Sequence, residues 1–228
     1  MFTTMSAFET LKTACTEACR TRQACVEGYK QMLASENVSQ MMATWRANWE
    51  DVTIGKFADL IVSELPKQYA DLKKEMNEAG VYLNECPKGA KNFVRVIVTD
   101  TDEPVYIYGD AHAYVLGTAK IVAYNHSQVC NTRAGKSGIT LLDYSYCNAT
   151  CGTVTAQDRS HLQIGGTAMA SLDGAIECHA NGGVVAADRY RRIDACGETK
   201  VYARNGRSIY LEGSASLQPL ISYNNEQQ

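Results

Sequence analysis

The sequence predicts an α+β protein in which an N-terminal helical domain caps a C-terminal parallel β-solenoid, or β-helix, built from eight-residue repeats. Three observations carry this expectation. An eight-residue period runs from Thr101 onward, apolar and polar residues alternate within each period, and apolar residues recur every three or four positions before Gly80.

The helical region comes first. Phe8, Leu11, Cys15, Ala18, Cys25, Tyr29 and Met32 fall at helical spacing with no proline, which predicts one amphipathic helix over residues 6 to 34. Asn37 or Ser39 is placed to cap a second helix carrying Met41, Met42, Trp45 and Trp49. A third is predicted from Ile54 to Ala79, bent at Pro66 and stopped by Gly80. Residues 1–80 therefore read as a capping and oligomerisation domain. Residues 81–104 hold two short strands, Val81 to Asn84 and Phe93 to Val98, around a Cys86-Pro-Lys-Gly89 turn, and then a lead-in.

Octads open at Thr101, Gly109, Gly117, Asn125, Gly135, Asp143, Thr150, Asp158, Gly166, Gly174, Gly182, Arg189, Gly197, Asn205 and Gly213. Most of these are Gly, Asn or Asp, the residues that tolerate the positive φ of a tight corner. The fifth position is Val105, Ala113, Ile121, Val129, Ile139, Cys147, Val154, Leu162, Ala170, Cys178, Ala186, Ile193, Val201, Ile209 and Leu217, and is never polar. The seventh breaks an apolar pattern only at Asn131 and Asp188. Each octad thus reads as a corner followed by a short strand with one buried face. A unit this small cannot bury that face alone, so residues 105–222 are expected to stack as a solenoid, with 223–228 as a disordered tail. Two octads per coil would make a flat, two-sided rod and three a triangular one; the sequence leaves both open.

A net charge of −3 in 228 residues forecasts no strong electrostatic field. No apolar run is long enough to span a membrane, and Glu9, Lys12, Glu17 and Arg20 interrupt any leader-like stretch, so a cytoplasmic protein without membrane contact is expected. Of the nine cysteines, Cys147 and Cys178 sit at the inward fifth position as small core residues, and the absence of any Cys-x-x-Cys pair favours reduced thiols. His112, His126, His161 and His179 fall on outward positions and read as ordinary surface residues. Ala134-Gly-Lys-Ser137 has the ending of a phosphate-binding loop, but it lacks the preceding glycine and the following helix. No cofactor, metal ion or catalytic constellation is expected, and the chain is read as a non-enzyme.

The outward residues that remain are aromatic and basic. Tyr106, Tyr114, Tyr202 and Tyr210 share the sixth octad position, and rigidly held aromatics supply contact area at little entropic cost. Arg189, Arg191, Arg192, Lys200, Arg204 and Arg207 make the last part of the chain basic, among Asp188, Asp194, Glu198 and Glu212, which are able to pair with them. The pattern resembles the tandem octapeptide repeats of β-solenoid proteins of bacteria, their phages and mobile elements. That resemblance covers residues 101–220 and implies the architecture; small proteins of this kind are often inhibitors of host machinery, such as anti-CRISPR or other anti-defence factors. The combined expectation is a macromolecule-binding protein, engaging a protein or a nucleoprotein complex and acting by steric occlusion, with homodimerisation through the helical domain. The alternative is nucleic-acid binding by the basic C-terminal end.

Overall fold

A computed structural model describes residues 5–204 and 208–219. Arg207, the octad opener Asn205 and the tail at 223–228 lie outside the described residues.

Five helices open the chain: α1 (Ala7–Thr21), α2 (Val26–Ala34), α3 (Val38–Ala47), α4 (Trp49–Thr53) and α5 (Ala58–Glu78). The single helix expected over residues 6 to 34 is two. Gln23 adopts a left-handed backbone with φ 55°, and Cys25 then caps α2 by accepting the Gly28 N–H at 3.2 Å. Long-range bonds hold the break: the Arg22 guanidinium donates to the Lys56 carbonyl, and Lys56 Nζ donates to the Gln23 carbonyl at 2.9 Å. Asn37 caps α3 as expected, accepting the Gln40 N–H at 3.0 Å. The third predicted helix begins at Ala58 rather than Ile54, continues through Pro66, and ends before Gly80, whose φ of 76° only glycine adopts readily.

The strands are β1 (Val81–Leu83), β2 (Arg95–Val98), β3 (Val105–Ile107), β4 (His112–Val115), β5 (Lys120–Ala123), β6 (Gln128–Asn131), β7 (Gly138–Leu141), β8 (Tyr146–Ala149), β9 (Thr153–Asp158), β10 (His161–Gly174), β11 (Glu177–Arg189), β12 (Arg192–Cys196), β13 (Lys200–Ala203), β14 (Ile209–Leu211) and β15 (Ser216–Pro219). Every pairing is parallel, and within the octads each joins residues two octads apart: His112 lies beside Gln128, and Val105 beside Ile121. The coil is therefore two-sided. The front face holds β1, β2, β4, β6, β8, the first part of β10, the first part of β11, β12 and β14. The back face holds β3, β5, β7, β9, the remainder of β10 and β11, β13 and β15. About eight turns result, a rod of roughly 40 Å at one strand spacing per turn.

Inward positions five and seven interdigitate between the faces, and Ile121, Leu141, Leu162, Ile193 and Val201 are all 2% exposed or less. Corners follow the octad openers, with positive φ at Gly109, Asn125, Asp143, Asp158, Gly166, Gly182, Gly197 and Gly213. One corner is laced by side chains: Asn125 Oδ1 accepts the Gly109 N–H, Asp143 Oδ2 the Asn125 N–H at 2.9 Å, and Asp158 Oδ2 the Asp143 N–H at 3.1 Å. Each Asn or Asp thus satisfies a corner amide of the preceding coil, which a left-handed glycine cannot do.

Two local irregularities have physical causes. Asn131, a polar residue at an inward position, is fully buried and brackets the Arg133-Ala134 insertion: it accepts the Ala134 N–H at 3.0 Å and donates to the Ala134 and Cys151 carbonyls. The same insertion sends the Arg133 guanidinium to Asp59 of α5. The register expected at Gly182 needs correcting. Val185 and Ala187 point inward with no exposure, whereas Ala186 is half-buried on the outer side and Asp188 is exposed. The missing residue of this seven-residue copy lies at its corner, where Gly182 and Gly183 both take positive φ, so the strand begins one residue early. Asp188 is consequently no break in the core.

The helices lie on the flank of the first coils. Ile97 and Leu116 point outward into a cluster with Leu11, Met41, Trp45, Ile61 and Leu65, joined by Val81 and Leu83. The end of the solenoid core itself is covered by Tyr82, Cys86, Ala90 and Val94, so the capping expected of the helical domain is shared with residues 81–94.

Ile193→Asp places an unpaired charge between two sheets and should cost roughly 4 kcal/mol. His161→Ala, on the outer surface, should cost less than about 0.5 kcal/mol. Urea unfolding of the two variants checks both values; similar midpoints would contradict the register.

Candidate binding surfaces

Even octad positions project outward, and a two-octad coil sends successive octads to opposite faces. The four tyrosines at position six therefore cannot form one surface. Tyr106 and Tyr202 lie on the back face, six rows apart along the column Tyr106, Val122, Thr140, Thr155, Ser171, Ala186, Tyr202. That separation is about 29 Å. Tyr106 stacks on Tyr108, which stacks on Tyr124, with centroids 6.4 and 5.5 Å apart. Tyr114, on the front face, is half-buried beneath the helices with its ring edge-on to Trp49 at 5.4 Å, and burial pushes its phenol pKa up. It serves the join between helices and solenoid. Tyr210 is 58% exposed at the C-terminal end, with the Arg192 guanidinium 4.9 Å above its ring.

The basic residues are largely neutralised in place. Arg189 pairs with Asp173 at 2.5 Å, Arg191 with Glu177 at 3.1 Å, Arg192 with Asp194 at 2.8 Å and Arg204 with Asp188 at 2.6 Å. Hydrogen bonding to the guanidiniums holds the Asp173 carboxyl below its usual range. Lys200 is exposed and makes no ion pair among the described residues. What reads as a basic cluster in sequence is a ladder of alternating charge.

Two histidines do more than sequence reasoning assigned them. His161 Nδ1 lies 3.6 Å from Glu177 and His179 Nδ1 3.2 Å from Asp194, each carboxylate being one row along the front face. With Tyr146, whose hydroxyl donates to Gln163 at 2.8 Å, they line shallow depressions that continue to Arg192 and Tyr210. The two-octad period was the missing signal: residues fifteen or sixteen apart become neighbours only once the coil is known to have two sides. Among the described residues no group of three His, Cys, Asp or Glu side chains is placed to hold a metal ion.

The back face has a different chemistry. Between the rows of Lys120 and Lys200, the outward residues near the starts of its strands are Gly138 and Thr140, Thr153 and Thr155, Met169 and Ser171, and Val184 and Ala186. None of these eight is charged, and Met169 is 51% exposed; at the far ends of the same strands Asp173 pairs with Arg189 and Asp188 with Arg204. Ser137 of the Ala134-Gly-Lys-Ser137 stretch is buried in a corner, donating to the Gly117 carbonyl at 2.8 Å and accepting the Ala119 N–H at 3.1 Å; its role is structural.

In the helical region, Cys15, Cys19, Cys25, Met32, Trp45 and Phe57 line a cavity of about 40 Å³. All nine cysteines are free. Burial raises the thiol pKa of Cys15 and Cys178 to about 12. Val26 and Leu33 leave α2 with exposed apolar side chains. No helix is long and apolar enough to cross a membrane among the described residues. Comparison with protein families, curated proteins and solved structures finds no match.

Two measurements follow from these placements. Tyr114→Ala should lower stability by about 2 kcal/mol by opening the join to Trp49, and Arg191→Ala by less than about 0.5 kcal/mol, both read by chemical denaturation. Native maleimide labelling followed by mass spectrometry should modify exposed Cys25 first and leave Cys15, Cys147 and Cys178 unmodified until the protein unfolds.

Proposed function

We propose that this chain is a non-enzymatic macromolecule-binding protein whose back face docks a protein. The observation that carries the reading is a patch between the Lys120 and Lys200 rows, where eight uncharged residues project outward from the back-face strands and the only charges at the ends of those strands, among the described residues, are the self-matched Asp173–Arg189 and Asp188–Arg204 pairs. A contiguous weakly polar surface held rigid by its own backbone ladder offers contact area at low ordering cost. Lys120 and Lys200 bracket it, five rows or about 24 Å apart, and favour a partner with acidic groups at its rim. If the octapeptide-repeat resemblance extends to function, docking of this kind would inhibit a host defence complex by occlusion.

Nucleic-acid binding at the C-terminal end is less well supported, because Asp173, Glu177, Asp194 and Asp188 already occupy four of its arginines. The two readings separate experimentally. Thr155→Arg with Ser171→Arg should abolish stoichiometric recovery of a partner from the native host without lowering the melting temperature. Fluorescence anisotropy with labelled DNA and RNA should show no salt-dependent binding. Recovery unaffected by the two arginines would exclude the back face, and salt-sensitive anisotropy would favour the second reading.

A further inference from the structure

The two ends of the solenoid are finished differently. At the N-terminal end Tyr82, Cys86, Ala90 and Val94 lie over the core, and Val96, Val98, Val105 and Ile107 beneath them are 2% exposed or less. At the C-terminal end Ile209, Leu211, Leu217 and Pro219 occupy the last inward positions. Nothing among the described residues covers them: Leu211 is 41% exposed and Leu217 38%. Among the described residues β14 and β15 each pair along one edge only, which leaves two edges beside the last inward side chains without a partner strand. Such an end is a template for another strand.

We propose that this end is the interface of a head-to-head homodimer, in which β14 of one copy pairs with β15 of the other. The fold itself makes the end self-complementary. Each coil runs out along the front face and back along the rear, so β14 and β15 point in opposite directions. A two-fold axis parallel to the strands exchanges the faces and brings β14 against β15 of the second copy, antiparallel, at both contacts. β15 lies half a coil beyond β14, and this axis gives both contacts the same spacing. An axis perpendicular to the sheets would close one contact while holding the other a full row, about 4.8 Å, farther apart.

Charge complementarity commits the end to a second copy. With inward residues facing inward residues, Tyr210 lies opposite Gln218 of the partner subunit, and Glu212 opposite Ser216 of the partner subunit. Lys200 is the register neighbour of Ser216, one row back on the same outer surface. Glu212 and Lys200 are both exposed, and neither makes an ion pair among the described residues. The two-fold therefore forms two Glu212–Lys200 pairs across the interface. Because it uses both free edges at once, the assembly closes as a dimer rather than growing into a fibre. This contact lies at the opposite end from the helical domain; it shares Lys200 with the back-face patch but needs none of the eight uncharged residues of that patch.

Sedimentation equilibrium of the full chain up to millimolar concentration tests it. The wild-type protein should dimerise reversibly. Glu212→Lys and Lys200→Glu should each weaken the dimer about tenfold through like-charge contacts at two symmetric sites, and the double swap should restore it. Leu217→Lys should abolish it. Leu33→Lys on α2 should leave it unchanged, and circular dichroism should show all variants folded. A wild-type protein that stays monomeric, a dimer indifferent to both charge reversals, or one broken by Leu33→Lys would overturn the proposal.

Discussion

The structure depends on a backbone constraint: each strand pairs in parallel with the strand two octads later, so every coil must close in two straight runs and two tight corners. That closure leaves room between the faces for one layer of interdigitating side chains. It explains why the inward positions hold Val, Ile, Leu, Ala and Cys and why small residues fill many of the corners: Ala111, Ser127, Ser145, Ser160 and Ala168 are fully buried there. It also explains the two exceptions. An extra pair of residues at Arg133-Ala134 is accommodated because Asn131 satisfies the backbone around it, and a missing residue near Gly182 is accommodated because two adjacent glycines shorten the corner.

The same closure divides the outer surface into two chemistries. The front face carries the helical domain over its first rows, through Ile97, Leu116 and Tyr114, and beyond them a mixed field of His161, Glu177, His179, Arg192 and Asp194. The back face carries small uncharged residues along its middle. The middle of the back face is the better docking candidate because the charged groups elsewhere, along the front and at the ends of the back-face strands, are already matched within the chain and gain little by exchange with a partner.

Much of the fold was legible in the residues. The octad period, the alternation and the corner residues all follow from short-range backbone chemistry, and the Asn37 cap and the Gly80 stop reflect local hydrogen bonding that sequence displays directly. The break between α1 and α2 was not legible, because it is held by Arg22 and Lys56, whose partners lie more than thirty residues away in the chain. The candidate site was read less well. Four tyrosines at one repeat position are split between two faces, and one of them is packed under Trp49; acids near the basic residues were legible as possible partners, but only the coil shows that Asp173, Glu177 and Asp188 of the preceding coil take up Arg189, Arg191 and Arg204.

The sequence alone determined that the chain is a stack of corner-and-strand units behind a helical region, because period, alternation and positive-φ residues are properties of neighbouring positions. Only the tertiary structure decided how many octads close a coil, and with that which side chains share a face. A residue's outward direction follows from its own backbone, whereas its neighbour across the ladder depends on where the chain returns.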